Sequence, residues 1–384
     1  LADQPWVEEA EPVAFEGRLS GGSHYEGALR NDVPDGFGVC TDPHGVTYTG
    51  QWQAGRHHGQ GAQIRPDSQR YEGHWESGKV EGHGTLTKHN GEIYVGQWRE
   101  GVRHGHGIYA WKIGMRYVGQ WQNGKAHGMG TQIKPDNAKY QGQWQNGKRH
   151  GQGTYVWPDG AIYTGRFHDG RRHGQGTQKW VSGIEYTGQW HSDRPGGTGV
   201  QTWPSGEIYE GQWHDGRRRG QGTHTWPSGI QYTGHWRGDQ PCGQGKQTWP
   251  QGMKYVGQWR DGQFNGRGTQ TKTNGERYVG QWCEGQRHGT GTQLWPAGMK
   301  YTGQWCDGQR HGHGTQQWAD GMIYCGQWQQ DQPYGQGTQL WPGGMKYEGE
   351  WHQGKRHGIG TMIYPDGHGE TGIWRNDDFV GSML

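Results

Sequence analysis

From Tyr25 onward, short runs alternate large apolar residues with small or polar ones, as in Tyr255-Val-Gly-Gln-Trp259. A period of two puts Tyr255 and Trp259 on one face of a β-strand. Tyr recurs at 23-residue intervals from Tyr25 to Tyr347 without insertion, so residues 25–369 divide into fifteen units. Numbered from that Tyr, each unit follows Y-x-G-x-W-x-x-G-x-x-H-G-x-G-T-Q-x-W-P-x-G-x-x. Positions 7 and 8 carry turn pairs such as Asn123-Gly124, Asn146-Gly147 and Asp169-Gly170, which tolerate the positive φ of a type I′ hairpin turn. The H-G-x-G-T-Q segment then predicts a return strand. W-P-x-G predicts a loop, since Pro cannot donate to a ladder.

These elements predict an all-β fold: an elongated single-layer twisted antiparallel β-meander of tandem β-hairpins. A turn at positions 7 and 8 predicts pairing of position 3 with 12 and of 1 with 14, so that Tyr faces Gly across the strands. Because 23 is odd, the W-P-x-G connection must hold an odd residue count or a bulge, or successive units would flip their faces. One face then carries Tyr and Trp, exemplified by Tyr140, Trp144, Tyr209, Trp213, Tyr255 and Trp259, and the other carries Thr, Gln and His. The predicted organisation is an acidic tail over 1–14, a degenerate half-repeat cap over 15–24, the repeats over 25–369, and a degenerate half-repeat with a tail over 370–384.

Composition agrees with this layout. Hydrophobic residues make up only 28% of 384 positions, yet there are 24 Trp, 19 Tyr and 78 Gly. Sixty-nine of the glycines stand at positions 3, 8, 12, 14 and 21, so they belong to the framework. That much Gly opposes helices, while the aromatic wealth opposes disorder. A net charge of +2 gives no field that would select nucleic acid. Five scattered Cys form no disulfide framework, and Cys283 and Cys306, in adjacent units, are expected too far apart to bridge. No apolar run is long enough for a transmembrane span. The chain starts at Leu1 rather than Met, which leaves a secreted form after leader removal open beside a soluble or peripheral one.

Candidate chemistry is sparse. His-Gly-x-Gly lacks the following helix that a phosphate loop needs. Position 11 is His in eight units, and His104/His106 and His311/His313 sit two apart on a strand, but no four-ligand metal set emerges. No nucleophile, acid–base pair or pocket stands out, so we expect no catalytic residue, no metal and no cofactor. Two binding surfaces remain. The position-18 Trp row (Trp157, Trp180, Trp203, Trp226, Trp249, Trp295, Trp318, Trp341) could stack on sugars or partners, or could cap the aromatic layer. Positions 9 and 10 stack basic pairs along one edge: Lys148-Arg149, Arg171-Arg172, Arg217-Arg218 and Lys355-Arg356. Such a row could attract anionic headgroups or simply keep the edge solvated. Four units replace the position-8 Gly and gain a Pro (Asp32-Val-Pro34, Asp193-Arg-Pro195, Asp239-Gln-Pro241, Asp331-Gln-Pro333), which predicts local bends or edge protection.

The segment Tyr140-Gln-Gly-Gln-Trp-Gln-Asn-Gly-Lys-Arg-His-Gly-Gln-Gly-Thr154 resembles the MORN repeat (membrane occupation and recognition nexus). The likeness covers about residues 15–374. It implies a non-enzymatic scaffold with protein partners, often a homo-oligomer, at a membrane or cytoskeletal structure. A leaning toward a cytoplasmic, membrane-associated location comes with it. Two other functions fit the residues: a carbohydrate- or cell-surface-binding module using the Trp row, and an anionic phospholipid adaptor using the basic edge.

Overall fold

A computed structural model describes residues 11–382. Asp3, Trp6, Glu8 and Glu9 of the acidic tail lie outside the described residues. The chain forms two units, Leu1–Arg194 and Pro195–Leu384. In the first, sixteen strands run from Val13–Arg18 to Glu185–His191, each paired antiparallel with the next. In the second, seventeen strands from Arg194–Thr202 to Asp378–Ser382 do the same. No helix occurs among the described residues.

The repeat beginning at Tyr117 shows how one unit is built. Its strands Arg116–Gln122 and Lys125–Ile133 are joined by Asn123 and Gly124, at φ 49° and 75°, the I′ turn that Asn-Gly favours. Beside the turn Gln122 pairs with Lys125 and Trp121 with Ala126. Beyond this point the register departs from the expected one. Gly119 faces Gly130 and Tyr117 faces Gln132, so position 3 pairs with 14 and position 1 with 16. The cause is a bulge. Gly128, at position 12, lies at φ 60°, and three residues of the return strand oppose Gln120 alone. The Gln120 amide oxygen accepts the Met129 N–H at 2.7 Å and fastens the bulge. The same bond recurs at Gln51, Gln97, Gln143, Gln212 and Gln258.

The bulge adds two residues and therefore keeps the faces in phase. The connection to the next repeat encloses five residues, 134–138, between Ile133 and Lys139. That odd count is what a 23-residue period requires. Tyr117, Gln132 and Tyr140 accordingly follow one another on the same face.

That face holds the core. The position-1 Tyr residues are at most 5% exposed, and the position-5 rings from Trp52 to Trp374 at most 8%. They alternate edge to face: Tyr117 meets Trp121 at 5.1 Å and 86°, then Trp144 of the next repeat at 5.2 Å and 86°. Each such contact adds about 0.5–1.5 kcal/mol beyond area burial. Tyr117 Oη donates to the Gln120 carbonyl, and Trp121 Nε1 donates to the carbonyl of Gly107 in the preceding repeat. Tyr117 thus packs on the next repeat while bonding within its own, and Trp121 bonds to the repeat before it; among the described residues the buried Trp259 Nε1 has no such partner. The Tyr ring does not face Gly across the ladder. It runs along its own strand and covers the Gly119–Gly130 pair, where a Cβ on Gly130 would enter the Tyr117 ring.

Candidate functional site: an aromatic and guanidinium groove

The described geometry separates the expected basic edge into two rows. Lys148, Arg171, Arg217 and Lys355, at position 9, are exposed beside the turns. Arg149, Arg172, Arg218 and Arg356, at position 10, are paired with position 5 and fold onto the aromatic face. Strand alternation explains the split, since neighbouring residues point to opposite faces. The Arg172 guanidinium lies 4.3 Å from Trp190 and 5.6 Å from Trp157, so it bridges the rings of the following and preceding repeats. Arg218 sits 4.5 Å from Trp236, Arg310 4.3 Å from Trp328, and Arg356 4.6 Å from Trp374.

These cations are also bound to carboxylates. Asp193 Oδ1 accepts from the Arg172 backbone N–H and from Arg172 Nε, while the Asp193 carbonyl accepts from Arg172 Nη2. Arg172 Nη1 donates to Gln178 Oε1 at 2.8 Å. Arg310 makes the corresponding set with Asp331 and Gln316, and Arg356 makes the Asp377 part. Asp193, Asp239 and Asp331 are three of the four residues that replaced the position-8 Gly. Their positive φ values of 72°, 71° and 66° keep the turn geometry, so these sites are not bends. They are clasps between one repeat and the one before it.

The position-18 Trp rings line the same groove. Each heads the five-residue loop: Trp157 N–H donates to the Ala161 carbonyl, and Gly160 N–H donates to the Trp157 carbonyl. Trp157, Trp203, Trp226, Trp249, Trp295, Trp318 and Trp341 are half-buried, and Trp180 is 36% exposed. In the second unit a cleft of about 510 Å³ is lined by Arg287, Arg310, Trp295, Trp305, Trp318 and Gln316. Only the position-10 half of the basic edge lies beside the Trp row, as at Arg172 and Trp157 in the first unit and at Arg310, Trp295 and Trp318 in the second.

One feature was missed from sequence. His224 takes the position-16 place of Gln and is buried between Trp203 and Trp226, stacked at 8° and 5°. Its Nδ1 lies 2.8 Å from Arg218 Nη1, and its Nε2 lies 3.5 Å from a Glu207 carboxylate oxygen. Burial, then the Arg218 charge, push its pKa down. A His where other units carry Gln, six residues after an Arg, was the available signal.

The His-Gly-His pairs sit across the bulge, where the left-handed Gly105 and Gly312 interrupt regular strand alternation. His288, Cys306 and Asp307 instead bring potential ligand atoms within 4.8 Å of one another. All five cysteines are free. Among the described residues no helix is long and apolar enough to cross a membrane.

The TCP10 domain of Danio rerio CPAP, solved with a STIL peptide, is 12% identical with a TM-score of 0.30, covering 65% of this chain and 94% of that one. Virginiamycin B lyase from Staphylococcus aureus is 10% identical with a TM-score of 0.13, covering 92% of this chain and 94% of that one. Neither likeness carries an argument about function. No curated protein sequence matches the chain. The sequence profile of the MORN repeat matches fifteen consecutive segments, from residues 25–47 to residues 347–369. The chain belongs to the MORN-repeat family, and its repeats and β-fold fit a non-enzymatic repeat scaffold.

Proposed function

We propose that this protein is a non-enzymatic structural scaffold, a rigid β-repeat array that mediates protein–protein interaction and self-assembly at a membrane or cytoskeletal structure. The observation that carries the reading is the return of one groove chemistry, Arg over Trp beside a carboxylate, at Arg172, Arg218, Arg310 and Arg356. A partner that fits one groove meets the same chemistry again along the chain, and such multivalency raises avidity without new kinds of contact. Trp and Arg are also the residue types that dominate binding energy at protein interfaces. Sedimentation velocity of the intact chain across a wide concentration range tests this reading. Reversible association that weakens in Trp295→Ala/Trp318→Ala is expected; a monomer at every concentration would overturn self-assembly.

A second reading, binding of carbohydrate or a cell surface, is favoured by the 36% exposure of Trp180 and by the Trp- and Gln-lined cleft near Arg310. Aromatic faces stack on sugar rings, so a shift in Trp fluorescence on glycan addition would support it. The anionic-lipid reading rests on the exposed position-9 bases of the four pairs, Lys148, Arg171, Arg217 and Lys355, and has less support.

A further inference from the structure

The face opposite the aromatic layer carries a run of imidazoles that no single strand reveals. Position 11 of one repeat lies beside position 6 of the next, because position 12 pairs with the following position 5. Within a hairpin, positions 6 and 11 also approach across the turn. Between residues 150 and 191 all four of these places hold His. The ring centres of His150 and His168 are 5.1 Å apart, those of His168 and His173 5.6 Å, and those of His173 and His191 5.4 Å.

We propose that His150, His168, His173 and His191 form a chelating ladder for borderline divalent cations such as Zn²⁺. Geometry carries the proposal. A Zn–N bond of about 2.0–2.1 Å, with the ring centre about 1.1 Å further out, places two imidazoles on one tetrahedral ion about 5 Å apart between centres. All three observed separations lie close to that value. Imidazole ligands select Zn²⁺, Ni²⁺ or Cu²⁺ over the oxygen-seeking Mg²⁺ and Ca²⁺. His168 and His191 are exposed, so an ion can reach the row, while His150 and His173 are half-buried and held by packing. Among the described residues His150 Nδ1 is buried with no hydrogen-bond partner. Four rings make two separate pairs, so the ladder holds two ions, each completed by water.

Equilibrium dialysis of the full chain against Zn²⁺ alone tests this, with His168→Gln/His173→Gln as the main variant. That change leaves each end of the ladder without its partner. Circular dichroism unchanged from wild type would establish that the variant folds. Bound zinc is expected to fall by two ions per chain, and to stay at the wild-type level in His106→Gln/His313→Gln. Should the main variant misfold, His191→Gln, at an exposed position, must still remove one ion. Equal zinc uptake by wild type and the folded ladder variants would overturn the proposal. So would uptake abolished by Cys306→Ser, which would place the ion at His288, Cys306 and Asp307.

Discussion

Asp239 Oδ1 accepts two hydrogen bonds from Arg218, one from its backbone N–H at 2.9 Å and one from Nε at 3.3 Å. A third bond runs from Arg218 Nη2 to the Asp239 carbonyl. The two residues are twenty-one apart, and the contact ties the turn of one repeat to the return strand of the one before. Arg218 is 18% exposed and Asp239 46%, so the clasp is partly screened.

Asp239→Gly keeps a residue suited to φ 71° and removes only the carboxylate. It should cost about 1 kcal/mol, the scale of a charge-assisted bond at a half-exposed site. Asp239→Ala adds left-handed strain of about 1–2 kcal/mol. Urea unfolding should therefore rank wild type, Asp239→Gly and Asp239→Ala in falling order of stability. Equal midpoints for all three would mean that the clasp contributes nothing.

Glycines of the frame should differ sharply in tolerance. A Cβ on Gly153 would run into the Tyr140 ring, whereas one on Gly147, at φ 81°, meets open space. Gly153→Ala is predicted to cost about 3 kcal/mol, the upper end for overpacking, and Gly147→Ala about 1 kcal/mol of backbone strain. Thermal unfolding of the two variants checks the ranking.

His57 stacks on Tyr48 at 3.7 Å and 13°, and burial lowers its pKa from 6.5 to about 4. The folded state favours neutral imidazole. This contribution is thus complete above pH 6.5 and is lost as pH falls from 6.5 toward 4. Phe264 makes the same stack on Tyr255, at 3.7 Å and 10°. In His57→Phe the stability lost between neutral pH and pH 4 should shrink; an unchanged acid profile would remove His57 from the account.

At the alkaline end, burial raises the Tyr94 phenol from 10 to about 12. Here the protonated form is favoured in the fold, so stability is intact below pH 10 and is lost as pH rises through 10 toward 12. With a Tyr at the first position of every repeat, tyrosinate absorbance and loss of β-sheet circular dichroism should rise together above pH 10. Phenol ionisation completed well before unfolding would contradict the buried row.

Much of this was legible in the chain. The Tyr and Trp spacing specified hairpins, a one-faced aromatic layer and an odd connecting loop. The register was not, because it depends on whether Gly128 is extended or left-handed, and a glycine permits both. Its presence at position 12 of all fifteen units was the signal for a bulge. The clasp between Arg218 and Asp239 and the imidazole run from His150 to His191 depend on which residues the shifted register sets side by side. Neither could be read from a single unit, and the placing of the position-10 Arg residues beside the Trp row followed the same rule.

Hydroxyl-radical footprinting of the tryptophans, compared between dilute and associated protein, tests the groove as the scaffold's interaction surface. On association, oxidation of Trp180, Trp295 and Trp318 should fall, while buried rings such as Trp213 and Trp259 stay protected in both states. Association that leaves Trp180, Trp295 and Trp318 as reactive as in dilute protein would contradict the groove's role.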